Sequence, residues 1–106
     1  MEDLLDKAIV INKKLVNWRL IDKEVVFLHD KEKVFYELNK TATYIWLNAN
    51  GRKTVKDIVK GLISKFDITK EKAEKDAVEF INKGIKNKIF VFAKWAYLTF
   101  FLPKDL

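Results

Sequence analysis

Residues 34–46, VFYELNKTATYIW, change their hydrophobic period part-way, and that change decides the fold. Val34, Tyr36 and Leu38 alternate with Phe35 and Glu37, the two-residue repeat of a strand with one face toward a core. Beyond Asn39 the apolar positions become Ala42, Ile45, Trp46 and Ala49, the i, i+3, i+4, i+7 spacing of a helix face. Asn39 stands at the junction, where its side-chain oxygen can accept from the open N–H groups of a first helical turn. A strand that runs directly into a capped helix points to an α+β chain.

Upstream the strand signal repeats. Val16, Trp18 and Leu20 alternate with Asn17 and Arg19. Asp22-Lys23 is a polar break, and Glu24 to His29 (EVVFLH) is a β-branched and aromatic run suited to a strand buried on both faces. Asp30 to Lys33 forms the next polar turn. Three short strands joined by such turns form an antiparallel meander. His29 reads as a strand-end residue without chemistry, and Trp18, Trp46 and Trp95 as core aromatics, with an interface anchor the alternative for Trp95. Residues 1–15 carry no clear period and receive no element.

Downstream, Asn50-Gly51 is expected to stop the first helix. Thr54 opens a second with capping-box spacing to Asp57, and Val55, Ile58, Val59, Leu62, Ile63 and Phe66 form its apolar stripe. Thr69 caps a third helix reaching to about Asn87, whose apolar sector holds Ala73, Ala77, Val78, Phe80, Ile81, Gly84 and Ile85. Asp76 and Lys83 border that sector on the Phe80 side, with Lys72, Lys75 and Lys86 beyond. Ile89 to Leu102 is a dense apolar run ended by Pro103. It is shorter than the roughly 20 residues that cross a bilayer and reads as a final strand or helix over the domain's own core, or as a docking surface for a second copy or an enzyme. The expected organisation is an N-terminal arm (1–15), a central domain (16–88) and an aromatic C-terminal extension (89–106).

Composition narrows the functions. The 106 residues suffice for one modest core. There is no cysteine and a single histidine, which leaves almost nothing for a thiolate or histidine metal site or a nucleophilic triad. No metal, cofactor or catalytic residue is expected, and no glycine-rich phosphate loop is present. The acidic start of the chain is unlike a signal peptide, so a cytoplasmic location without a membrane partner is expected. The formal charge of +6 favours acidic partners in general, or is a solubilising surface.

A three-stranded sheet leaves two edges with unpaired backbone groups. The third strand is terminal in the meander, and an extended peptide can add along it. Here a resemblance bears on the reading. YELN (36–39), TATYIW (41–46), TVKDIV (54–59) and EKAEKDAVEFI (71–81) stand in the order and spacing of the PqqD-like family, over about two-thirds of the chain. The resemblance implies a winged-helix-like RiPP recognition element: a non-catalytic peptide chaperone of natural product biosynthesis. It captures a precursor's leader as an added strand, between the third strand and third helix, and presents it to a maturation enzyme such as a radical enzyme, protease or cyclase. Carried onto this sequence, the binding edge is Val34, Phe35, Tyr36, Glu37 and Leu38, and the opposing wall is Asp76, Phe80 and Lys83. The chain departs from the pattern at Gly84, where the family has a larger apolar residue, at Asn87-Lys88, and in its aromatic tail. A larger residue replaced by Gly84 would deepen the groove or loosen the helix.

Two rival readings remain at this stage. A winged-helix order with a lysine-bearing third helix can bind nucleic acid, although Glu71, Glu74, Asp76 and Glu79 on that helix would repel phosphates. The third possibility is a structural homodimer formed through the aromatic tail.

Overall fold

In the computed structural model, which describes residues 3–96, a 3-10 turn (Leu4–Asp6) leads into β1 (Ala8–Ile11), β2 (Val16–Ile21), β3 (Glu24–His29) and β4 (Val34–Glu37). Then follow α1 (Lys40–Leu47), β5 (Asn50–Thr54), α2 (Val55–Phe66), α3 (Lys70–Lys86), β6 (Phe90–Phe92) and a short α4 (Ala93–Ala96). None of the described helices is long and apolar enough to cross a membrane.

The meander forms as the sequence indicates. Asp22 and Lys23 take left-handed backbone, φ 51° and 69°, as a two-residue type I′ hairpin requires. β2 and β3 pair without interruption from Ile21↔Glu24 to Val16↔His29. β4 then pairs with β3 from His29↔Val34 to Val26↔Glu37, giving the order β2-β3-β4. The expectation that β3 is buried on both faces is not met. Only Val25, Phe27 and His29 are buried, while Val26 and Leu28 on the other face are half-exposed, because helices cover one side of the sheet and nothing described covers the other.

A second sheet comes from segments whose strands the sequence pattern did not reveal. β1 lies between β5 and β6, antiparallel to both. Residues 1–15 therefore contribute a central strand, with Ile9 and Leu15 in the core. The start of the terminal apolar run supplies β6, with Phe90 buried; the rest of that run, from Tyr97, lies outside the described residues. Helix α1 also ends earlier than expected. Asn48, not Asn50-Gly51, caps it, its amide group donating to the Tyr44 carbonyl at 2.8 Å. Asn50 to Thr54 are drawn into β5 by β1, with Gly51 at φ 80°.

The helix starts agree with the sequence reading. The Asn39 side chain accepts from the Ala42 N–H, Thr69 from the Lys72 N–H, and Thr54 and Asp57 bond reciprocally in a full capping box. Backbone and side-chain hydrogen bonds from Thr54 hold the Asp57 carboxyl below its ordinary range. The buried faces of α2 (Val55, Ile58, Val59, Leu62) and α3 (Ala73, Ala77, Ile81) join one core with Trp46, Phe27 and Phe90. Gly84 lies within an unbroken α3, where its missing side chain makes room for Phe90. The Phe90 ring occupies the space beside it, and a Cβ there would overlap that ring. Trp18, expected in the core, is 41% exposed on β2 and touches Trp46 edge-on. The Trp95 side chain lies outside the described residues.

One side chain ties the end of β4 to α1. Where the ladder would close with a bond from Val25 N–H to β4, the Thr43 hydroxyl is inserted. It accepts from Val25 N–H at 3.0 Å and donates to the Leu38 carbonyl at 3.3 Å. Thr43 is buried, so this relay lets the strand turn into the helix without orphaning backbone groups. Replacing Thr43 by the isosteric valine is expected to lower the unfolding free energy by about 1–3 kcal/mol. The change should appear as a shifted denaturant midpoint with an unchanged slope.

Candidate functional site

The hydrogen-bond phase of β4 fixes what its edge offers. Leu38 N–H donates to the Val25 carbonyl at 2.9 Å. Bonded and non-bonded positions alternate along an antiparallel pair, so Tyr36 and Val34 also direct their backbone groups at β3. Phe35 and Glu37 direct theirs to the opposite side, where no described strand pairs with them. Side chains follow the other alternation. Tyr36 lies opposite Phe27 and Val34 opposite His29, on the face that meets the helices. Phe35 and Glu37 lie opposite Leu28 and Val26 on the outer face, where Phe35 is 70% exposed.

Across from this edge runs one flank of α3, and two hollows lie along it. The first, about 170 Å³, has Glu32, Tyr36 and Leu38 on the sheet side, Lys83 and Asn87 on the helix side, and Trp46 among its aromatic lining. The second, about 260 Å³, lies between the start of α1 (Asn39, Thr41, Ala42) and the Asp76 and Glu79 positions of α3. Phe80 and Lys83 line both, so the hollows form successive parts of one groove, the first apolar and the second more polar.

Five of the eight residues singled out from the sequence line these hollows. Tyr36, Leu38, Phe80 and Lys83 line the apolar hollow, and Asp76 lines the polar one. Phe35 and Glu37 supply edge backbone, while Val34 faces the helices without lining either hollow. The cationic flank is weaker than the lysine count suggests, because Lys72 donates to Asp76 at 3.0 Å. Lys83 remains exposed at the middle of the groove. Sequence reasoning did not pick out Glu32, Asn87 or Trp46 as groove residues. A turn glutamate four residues before Tyr36 is a signal only once the turn geometry is known.

Tyr36 is fixed at the mouth. Its ring stacks on Phe27 with centroids 5.0 Å apart, and its hydroxyl donates to the Glu32 carboxylate at 3.2 Å. Partial desolvation, then the hydrogen bond to Glu32 and that residue's negative charge, raise the phenol above its ordinary pKa of 10.0. Beneath it, Trp46 stacks on Phe27 at 4.7 Å. The buried Trp46 indole N–H has no hydrogen-bond partner, an unsatisfied donor on a residue that lines the groove.

The family model for coenzyme PQQ synthesis protein D (PqqD) matches residues 24–89. The chain belongs to the PqqD family. Its fold is similar to two solved structures. One is described as "TbiB1 in Complex with the TbiA(beta) Leader Peptide", with a TM-score of 0.67 and 22% identity over 76% of this chain and 93% of that one. The other is "Lasso peptide synthetase B1 complexed with the leader peptide", with a TM-score of 0.68 and 18% identity over 78% and 96% of the two chains. At such identities the likeness is one of fold. No curated protein matches the chain.

The Tyr36–Glu32 contact generates a test within this PqqD-family chain. Glu32→Gln removes the negative charge and is expected to bring the Tyr36 phenol back toward its ordinary value. An NMR pH titration of ring-labelled tyrosine reads this; an unmoved Tyr36 titration would show that the contact is absent in solution.

Proposed function

We propose that this chain captures the leader of a ribosomally made precursor peptide as an added strand along β4 and presents it to a separate maturation enzyme, itself carrying out no chemistry. The observation that carries the reading is the juxtaposition at the groove: the outward backbone of Phe35 and Glu37 on an edge strand, facing an apolar hollow against α3. Membership of the PqqD family supports it, as does likeness in fold to two proteins described with leader peptides. The binding residues are Val34, Phe35, Tyr36, Glu37 and Leu38 on the strand, with Asp76, Phe80 and Lys83 opposite. The chain acts in the cytoplasm, where ribosomes make the precursor.

Strand addition divides the work between backbone and side chains. An incoming strand exchanges N–H and C=O bonds with Phe35 and Glu37, which supplies affinity with little sequence preference. Alternate side chains of the peptide point toward the helices and enter the groove beside Tyr36 and Phe80, which supplies selectivity. An apolar peptide residue suits the first hollow. Lys83 favours an acidic neighbour, while Asp76 and Glu79 in the second hollow disfavour two acidic residues in succession. The maturation enzyme can be a radical enzyme, protease or cyclase, since nothing in this mode of capture depends on the later chemistry.

A short precursor gene is expected in the neighbourhood of this one, and the test is calorimetric titration with the synthetic leader of that precursor. A Kd between about 1 nM and 10 µM is expected, and Tyr36→Ala should weaken it at least tenfold, about 1.4 kcal/mol. Absence of binding by the parent protein, or an unchanged Kd for Tyr36→Ala, would contradict the proposal. Tight, steeply salt-dependent binding to duplex DNA in place of leader binding would do the same.

A further inference from the structure

Beneath the apolar hollow lies the chain's single histidine, at the end of β3 and buried. Its ring nitrogens meet two backbone groups whose roles are fixed. The Glu32 N–H, which can only donate, points at Nδ1 from 3.2 Å, and the Asn87 carbonyl, which can only accept, stands 3.4 Å from Nε2. These two groups suit the tautomer with its hydrogen on Nε2. The two partners belong to opposite walls: Glu32 lies in the turn before β4, and Asn87 is the C-cap of α3. Both line the apolar hollow.

We infer that His29 is a positioning residue that bridges the two walls of the groove and sets its width at this end. The chain of contacts runs from Asn87 through His29 to Glu32, and from the Glu32 carboxylate to the Tyr36 hydroxyl. The same carboxylate also stands 3.6 Å from Nε2. One ring thereby links the helical wall to the aromatic side chain at the mouth. A protonated ring would carry a hydrogen on Nδ1 and set two donors against each other at Glu32, so the bridge needs the neutral tautomer. The consequence for peptide affinity rests on the function proposed above; the consequence for groove width does not.

Two variants separate the two bonds. In His29→Asn, Oδ1 stands in for Nδ1 and keeps the turn, but nothing reaches Asn87. In His29→Gln, the carboxamide nitrogen stands in for Nε2 and keeps the bridge. The chain has no cysteine, so nitroxides at Lys31→Cys and Lys86→Cys report the wall-to-wall distance by pulsed electron spin resonance. His29→Asn is expected to broaden and lengthen that distance and to weaken the synthetic leader at least tenfold. His29→Gln should keep the parent distance and stay within about threefold of the parent Kd. Melting temperatures recorded for all three exclude general destabilisation as the cause if both variants lose similar amounts. The inference is overturned if His29→Asn keeps the parent distance, or if both variants lose affinity equally. A parent protein with the expected distance but no affinity for the leader would sink the peptide function alone, leaving the bridge as a structural contact.

Discussion

The stacking of Trp46 places everything else. Its ring lies on Phe27 of β3 at 4.7 Å, against Phe90 of β6 at 5.6 Å, and takes the edge of Trp18 at 6.0 Å. One side chain of α1, 1% exposed, is therefore in contact with both sheets. Aromatic pairs in these arrangements contribute about 0.5–1.5 kcal/mol each beyond the area they bury. The larger effect is geometric. With Trp46 held between Phe27 and Phe90, the meander cannot slide along the helices. The distance between β4 and α3 is then fixed by side chains at the base of the groove, and β4 has no need of a further strand to hold it in place.

That arrangement explains how an edge strand with largely exposed side chains stays ordered. β4 gains its stability from β3 on one side, from Tyr36 stacked on Phe27, and from the Thr43 relay at its end. Its other side is paired with no described strand. A bare edge invites pairing with any extended chain. The β5 edge of the other sheet is blunted by Arg52, Lys53 and a register irregularity against β1. β4 pairs with β3 without such an irregularity, and Glu37 is its one charged residue.

The meander, the three helices and their caps were legible in the sequence because each rests on local physics: alternation, a 3.6-residue repeat, or an oxygen placed before a helix. The second sheet was not. β1 and β6 are only four and three residues long, too short for a period to declare itself, and β5 is polar throughout with a glycine at positive φ. Their pairing is a long-range fact, joining residues about forty positions apart in β1 and β5 and about eighty apart in β1 and β6. The groove was legible in outline. The resemblance to the PqqD-like family put Tyr36 and Phe80 opposite one another, but it did not show that Gly84 makes room for Phe90. Nor did it reveal that Lys72 is engaged by Asp76, or that the lone histidine links the two walls. These depend on where α3 ends and on how the turn before β4 folds back.

Amide hydrogen exchange along β4 tests the central claim most directly, with and without the synthetic leader. Val34, Tyr36 and Leu38 face β3, so their amides should be slow in both states. Phe35 and Glu37 should exchange quickly in the free protein and become protected only when the leader is bound. Protection of Phe35 and Glu37 without peptide, or none on adding saturating leader, would contradict the account.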